Sequence, residues 1–476
     1  MNVQIDHIYP LVILAAGAVL ILLIAAIRRN HKLTAILTLA VLAAAAYSLT
    51  IEPEQVSADS LFAYDGFSGF FIHLIIAGAF ATVMFSYHYL EPAAINRDEY
   101  YILILSGTLG ACALASAQHL VSFFLGLELL SESLYVLAGY LRMREKAVEA
   151  SLKYLILSGV SSAFLLMGMA LLYGQSGTMA FSGLAETLSE MEEAGLLFVA
   201  GVALVFVGAG FKMAVAPFHL WTPDVYQGAP SPVAAFIASV SKGGIAALWL
   251  RFFLETNAGE YSSLISLFSI VAILSMLIGN ILALLQRNVK RILAYSSIAH
   301  LGYVWVAFVS GGERGAEAVV FYLLAYFIAI LTAFGVVTIV SGTERDADEL
   351  SDYQGLFWRR PFLAAIFTAS MLSLAGIPLT VGFVGKFYIL AAGIAANQWI
   401  LALVLAIGSA ISVYYYLKII VEMFRKFPEG AEPFAAAKPS LPLAGGLALV
   451  ALAGMLVWLG VYPSGVAEVV RAMAGF

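Results

Sequence analysis

The sequence predicts an all-α, polytopic membrane protein of about fourteen transmembrane helices. Three observations carry that expectation. The 476 residues are 62% hydrophobic and only 11% charged, a balance that no water-soluble domain of this size can bury. The charges cluster in short connectors, and the apolar runs between them are mostly about 17–25 residues long, the length that crosses a hydrocarbon core roughly 30 Å thick. Two of those runs meet a proline close to a lysine, the mark of helices that break where protein or water, not lipid, surrounds them.

The expected spans cover roughly 8–27, 33–50, 66–89, 100–117, 119–141, 147–173, 195–215, 232–254, 263–285, 291–310, 316–341, 361–396, 399–424 and 441–461. The first follows MNVQIDHIYP, which has neither a basic segment nor a small-residue cleavage site, so it is expected to stay as a span rather than act as a signal peptide. The second to fourth are apolar runs set off by charged or turn-forming connectors. The fifth carries Glu128 inside LVSFFLGLELL, and the sixth opens with the i,i+4 pair Glu149 and Lys153. The seventh is interrupted by Lys212 and meets Pro217 five residues later; the eighth holds Lys242 within SVSKGG. The tenth contains YSSIAHLGY around His300, with Lys290 at its start. The twelfth reaches Pro378 in AGIPLTVG and, eight residues on, Lys386. The seventh and twelfth should therefore be discontinuous.

Lysine and arginine bias sets the expected orientation. With the N-terminus outside, the inner connectors hold Arg28, Arg29, Lys32, Arg97, Arg142, Arg144, Lys146, Arg287, Lys290, Arg291, Arg345, Arg359, Arg360, Arg425, Lys426 and Lys438, against Arg314 and Arg471 outside. The outer segments are acidic, with Glu52, Glu54, Asp59, Glu186, Glu190, Glu192 and Glu193. Both termini are then outside.

The two broken spans lie five apart, so spans 4–8 and 9–13 read as two five-helix repeats, the second inverted, each with a broken fourth member. The expected organisation is residues 1–99 for the first three spans, 100–256 and 257–426 for the two repeats, and 427–476 for the last span and tail. Similarity between the repeats is weak, and the reading rests on spacing.

A charge near the bilayer centre costs about 2.5–3.5 kcal/mol on insertion scales, so Glu128, Lys212, Lys242 and Lys386 should face a protein or water interior, where such groups commonly move ions or protons. Burial disfavours the charged form of an ammonium, and a nearby carboxylate restores it. At an effective dielectric near 20 a pair 4 Å apart is worth about 4 kcal/mol, about three pKa units, so moving the carboxylate would switch the lysine. The bland alternative for each is an ion pair or close helix contact that only fixes packing. His300 and His219 read either as relay groups or as hydrogen-bonded structural residues. Glu149 and Lys153 read as a proton-uptake element or as helix support, and Lys290 as a surface anchor or, alternatively, a residue at the inner mouth. The sole cysteine, Cys112, lies in an apolar run, so neither a disulfide nor a thiolate metal site is available. No basic patch suggests nucleic acid. There is no Cys cluster, no paired-His haem spacing and no GxGxxG after a strand, so no redox centre is expected in this chain.

FKMAVAPFHLWTPDVYQGAPSPV (211–233), NVKRILAYSSIAHLGY (288–303) and MLSLAGIPLTVGFVGKFY (371–388) resemble the hallmark segments of the antiporter-like membrane subunits of respiratory complex I, and of the related subunits of multisubunit cation/proton antiporters. The likeness runs from about Asp65 to the C-terminus and is nearest to the N-type subunit of the bacterial NADH–quinone oxidoreductase, the counterpart of mitochondrial ND subunit two. The chain stops soon after span 14, without the long lateral helix of the L type, and Lys386 stands where the M type resembles a glutamate. Glu132, one turn beyond Glu128, departs from the pattern: similar chains have an apolar residue or proline there.

The resemblance implies a proton-translocating subunit in the bacterial cytoplasmic membrane. It implies Glu128 and Lys212 as a pair, Lys242 as the relay between repeats, and Lys386 as terminal donor or acceptor. It also implies that NADH, FMN, iron–sulfur clusters and quinone belong to partner subunits, and that neighbouring antiporter-like subunits, peripheral subunits and the lipid bilayer surround this chain. A multisubunit cation/proton antiporter and a purely scaffolding subunit are the competing readings.

Overall fold

The computed structural model describes residues 8–50, 61–93, 95–190, 195–342, 344–426 and 442–473. His7, Glu52, Glu54, Asp59, Glu192, Glu193 and Lys438 lie outside the described residues. Among the described residues the elements are helices, with extended pairing limited to isolated bridges such as Phe62 with Ala117 and His119 with Ala180.

The helices run in order as α1 (Tyr9–Ile27), α2 (His31–Ser48), α3 (Gly66–Leu90), α4 (Asp98–Ser116), α5 (Leu120–Ala138), α6 (Glu145–Ser176), the short α7 (Phe181–Ser189), α8 (Leu196–Met213), α9 (Thr222–Gly228), α10 (Ser231–Phe236) and α11 (Lys242–Thr256). They continue as α12 (Ser262–Leu284), α13 (Val289–Ser310), α14 (Gly312–Val340), α15 (Leu356–Arg359), α16 (Pro361–Ala375), α17 (Val381–Ala395), α18 (Trp399–Phe424), α19 (Leu443–Val461) and α20 (Ser464–Met473). Among the described residues 13 helices are long and apolar enough to cross a membrane; the shorter pair α16 and α17, twelfth in chain order, brings the count to fourteen.

Both expected breaks are present. α8 stops at Met213, where Ala214 adopts a left-handed φ of 62° and its N–H closes onto Gly210 and Phe211 carbonyls. The chain then passes Pro217 and restarts as α9. α16 stops at Ala375, followed by Gly376 at φ 83° and Leu379 at φ 72°. α17 folds back so closely that a Cβ on Gly382 would lie 1.9 Å from the Ser373 carbonyl oxygen, so only glycine fits that restart. The eighth span holds a break the sequence did not announce: a π turn over Ile237–Ser241 separates α10 from α11, directly before Lys242.

Glycine contacts bring α4 against α5 and α12 against α13. A Cβ on Gly110 of α4 would meet Leu130 N of α5 at 2.5 Å, and one on Gly279 of α12 would meet Ala299 N of α13 at 2.6 Å. Backbones this close are what small residues give in membrane bundles, where dispersion replaces the hydrophobic drive. The span Ser231–Thr256 is buried throughout, and α13 and α14 nearly so, while α1, α2, α6 and α19 are peripheral. The centre of the molecule is therefore the wall that carries Lys242 and His300.

Candidate functional site: a row of buried lysines

Lys212 occupies the last turn of α8 and is 1% exposed. Its Nζ donates to Tyr135 Oη of α5 at 3.0 Å and to Ser158 Oγ of α6, and Tyr135 also bonds Ser158. The Tyr135 and Tyr154 rings each lie 4.9 Å from the ammonium, near enough for cation–π attraction to hold the charge in a desolvated box. Glu128 accepts from Ser162 Oγ at 2.6 Å.

The direct Glu128–Lys212 pair expected from sequence is thus absent among the salt bridges of the described residues: α6 supplies Ser158 to the lysine and Ser162, one turn away, to the carboxylate. Glu128 remains within electrostatic reach of Lys212. Glu132 is exposed and bonds no described group.

Lys242, fully buried, donates to Ser297 Oγ at 2.7 Å, and Tyr326 Oη donates to the same oxygen at 2.7 Å. The Tyr226 ring of α9 lies 5.7 Å from its ammonium. Tyr154 beside Lys212 and Tyr226 beside Lys242 both carry buried hydroxyls with no hydrogen-bond partner, as do Thr222, Ser231 and Ser241. Such orphaned groups cost about 1–3 kcal/mol each unless something completes them, and one of these tyrosines stands beside each of the two lysines.

His300 sits between two phenols, with Nδ1 2.6 Å from Tyr322 Oη and Nε2 3.1 Å from Tyr416 Oη; Tyr416 also bonds Ser296. Tyr303, one turn on, accepts from Asn280 Nδ2 at 3.0 Å, and Tyr415 donates to Asn280 Oδ1 at 3.0 Å. Lys386 lies in the second turn of α17, 6% exposed, with its Nζ 5.2 Å from the Tyr303 ring. It donates to the Ala375 carbonyl and to Ser409 Oγ of α18, both at 2.9 Å. Ser297, His300 and Tyr303 thus stand on successive turns of α13, the first bonded to Lys242 and the last with its ring beside Lys386, while Lys212 and Glu128 gather around Ser158 and Ser162 of α6.

The other candidates fall elsewhere. His219 is buried in the break between α8 and α9 with Nδ1 unpartnered, and bonds none of the lysines. Glu149 and Lys153 do pair, at 2.6 Å, and Lys153 also reaches Asp224 at 2.7 Å. Arg291 of α13 holds the other oxygen of Asp224 at 2.7 Å, so this cluster ties α9 to α6 and α13.

Lys290 is not the surface anchor expected. It is wholly buried, donating to Asp346 at 2.7 Å and to the Ala229 carbonyl at 2.6 Å. Arg144 at 3.1 Å and Tyr89 Oη at 2.7 Å complete the shell of Asp346. Burial alone would push this carboxyl up, but Lys290 and Arg144 hold it below the ordinary aspartate value. Sequence reasoning also missed Arg251 in α11, which grips both oxygens of Asp65 at 2.9 Å. The hydroxyl partners were missed too: Tyr135 follows Glu128 by two helical turns, and that spacing was the available signal.

Residues 117–412 match the family described as NADH:quinone oxidoreductase/Mrp antiporter, transmembrane. The chain is similar to NADH-quinone oxidoreductase subunit N of Ectopseudomonas mendocina, with 44% identity over 479 aligned positions, 98% of this chain and 95% of that one. The chain belongs to the subunit N family. Its fold superposes on a chain of respiratory complex I from Thermus thermophilus at TM-score 0.82 and 35% identity, covering 96% of this chain and 98% of that one. A chain of the Mrp complex from Dietzia sp. DQ12-45-1b shares the fold alone, at TM-score 0.84 and 22% identity, covering 99% and 97%. For a subunit N family member, the row of lysines lies inside the matched segment and extends from its fifth span to its thirteenth.

Proposed function

We propose that this chain is a proton-translocating membrane subunit of an NADH:quinone oxidoreductase, in which partner subunits carry the electrons and this one moves protons. The observation that carries the reading is the row of three buried lysines, each bonded to hydroxyls rather than to a carboxylate. A lysine so placed can lose and regain its proton without leaving a buried anion stranded, and each step is handed on by a hydroxyl that both donates and accepts. Lys212 loads under the influence of Glu128, Lys242 passes the proton across the middle, and His300 with Tyr322 and Tyr416 carries it toward Lys386. The orphaned hydroxyls of Tyr154 and Tyr226 suit water-borne hops between the first two lysines. Lys153, Glu149 and Asp224 serve as the uptake element at the cation-rich end, and His219 lines the break.

In this reading the chain lies in the bacterial cytoplasmic membrane with both termini outside. Residues 100–256 and 257–426 are the inverted repeats, a division supported by the matching breaks and glycine contacts. NADH, FMN, iron–sulfur clusters and quinone are the business of other subunits, which include neighbouring antiporter-like chains. The test is reconstitution of the whole complex in vesicles with proton and sodium readouts. Proton uptake that follows electron flow and is unchanged by replacing sodium with choline supports the reading; sodium movement with no proton pumping overturns it in favour of cation exchange.

A further inference from the structure

At the cation-rich end, away from the lysine row, a cavity of about 560 Å³ opens between the α3–α4 connector and the end of α5. Its polar walls are Asn96, Arg97, Glu99, Tyr140 and Arg142. Ile27 at the end of α1 and Met143 in the α5–α6 connector are 88% and 87% exposed. Bare apolar side chains beside arginines mark this level as the boundary between hydrocarbon and water.

We propose that this cavity binds the headgroup of an aminophospholipid, with a phosphodiester on the arginines and a primary ammonium on Glu99. Arg142 makes no hydrogen bond or ion pair with any described residue. Arg97 spends Nε and Nη2 on the Ala93 carbonyl, at 3.3 and 2.8 Å, which fixes the guanidinium and leaves Nη1 free. Two guanidinium groups without anionic partners, facing one cavity at the membrane surface, suit a lipid phosphate.

Glu99 narrows the choice. Its Oε1 is held by Arg29 at 3.0 Å, but its Oε2 is buried with no hydrogen-bond partner. A buried carboxylate oxygen needs a donor, and it repels a bare phosphate or a purely anionic lipid. A phosphoethanolamine group answers both demands, since it carries N–H donors a few bonds from its phosphate. Choline has the charge but no N–H, and a glycerol headgroup has a donor but no charge. Tyr140 Oη donates to the Asn96 carbonyl at 2.7 Å and holds the connector wall in place.

The experiment uses the intact complex, stripped of lipid in detergent and then offered phosphatidylethanolamine, phosphatidylcholine or phosphatidylglycerol, with retained lipids counted by native mass spectrometry. Wild type should retain one more phosphatidylethanolamine than the Arg142→Gln variant, whose affinity for it should fall about tenfold. Glu99→Gln should keep binding lipid but lose its preference for ethanolamine over choline; its pair with Arg29 is exposed, so folding should be little affected. Equal retention by wild type and Arg142→Gln would overturn the proposal. So would equal retention of choline or glycerol lipids by wild type, or displacement of the bound lipid by inorganic phosphate alone.

Discussion

Lys212 and Lys386 lie on either side of similar helix breaks, yet their charges are held by different means. Lys212 ends α8 before its break and is enclosed by Tyr135, Tyr154 and Ser158, with the Glu128 charge beyond Ser162. Lys386 follows the break, and its ammonium meets the Ala375 carbonyl, the last residue of α16. A helix C-terminus leaves carbonyls unpaired and carries about −0.5 of a charge. One lysine is thus tuned by a side chain that can change its own charge, the other by a fixed backbone dipole. In the proposed proton path, loading would then be adjustable at the first site and release set by the fold at the second.

The largest expected effect comes from removing the adjustable lysine. Lys212→Met should lower coupled quinone reduction by at least about tenfold, less than the roughly 10²-fold typical of losing a positioned acid or base because neighbouring hydroxyls remain. Quinone reductase assays and proton uptake on assembled mutant complex measure it. Unchanged pumping per electron at an unchanged rate would remove Lys212 from the mechanism and leave the comparison with one member.

Lys386 sharpens the comparison because its partner is a carbonyl. Methionine there cannot donate to Ala375, and pumping should fall about tenfold. A glutamic acid can donate to the same carbonyl when protonated, so Lys386→Glu should keep more activity than Lys386→Met in reconstituted vesicles. Equal activity of the two would make Lys386 structural, and the row would have to end at Tyr303 or Tyr415.

Glu128→Gln should cost less than Lys212→Met. The carboxylate acts across α6 rather than by contact, so its loss is on the order of 1 kcal/mol, roughly fivefold in rate. A loss as large as that of Lys212→Met would mean that the two meet directly during turnover, which the hydrogen bonds of α6 do not provide.

How much of this was legible in the sequence follows from what each residue costs. Charges inside apolar runs are expensive wherever they face lipid, so Glu128, Lys212, Lys242 and Lys386 stand out without any structure. Prolines disclose the breaks at Pro217 and Pro378 because a missing N–H is visible in the sequence. Tyrosine and serine carry little penalty in a membrane helix, so Tyr135, Ser158, Tyr416 and Ser409 gave no comparable signal. The π turn before Lys242 has neither proline nor a unique residue to mark it. Lys290 looked like a surface anchor because its partner Asp346 lies 56 residues away, a pairing only the fold creates.

That buried knot gives a prediction on stability. Asp346→Asn leaves Lys290 buried without its counter-charge, a change worth about 3–5 kcal/mol when a buried pair is broken, seen as faster thermal inactivation of the complex. The sign with pH follows from the depressed carboxyl. Its contribution is complete above the ordinary aspartate value, about pH 4, and is lost as pH falls through the lower native value. Wild type should therefore lose its advantage over the variant only in strongly acidic medium; an advantage lost near neutrality would point to Lys290 losing its proton instead.

The smallest effect belongs to Glu132, the second carboxylate of α5. It lies one turn from Glu128 on the same side of α5, exposed and bonded to nothing in the described chain, while Glu128 accepts from Ser162. Like charges four residues apart on a helix cost about 0.2–0.5 kcal/mol, a factor of roughly 1.4 to 2.3 in an equilibrium. Glu132→Leu should thus alter pumping by no more than about twofold. Glu128→Gln should keep its full effect in that background, because Glu128 is bonded to Ser162 and Glu132 to no described residue. If Glu132→Leu instead abolishes the effect of Glu128→Gln, the two carboxylates share one proton. The adjustable site would then be a dyad beside Lys212 rather than a single acid.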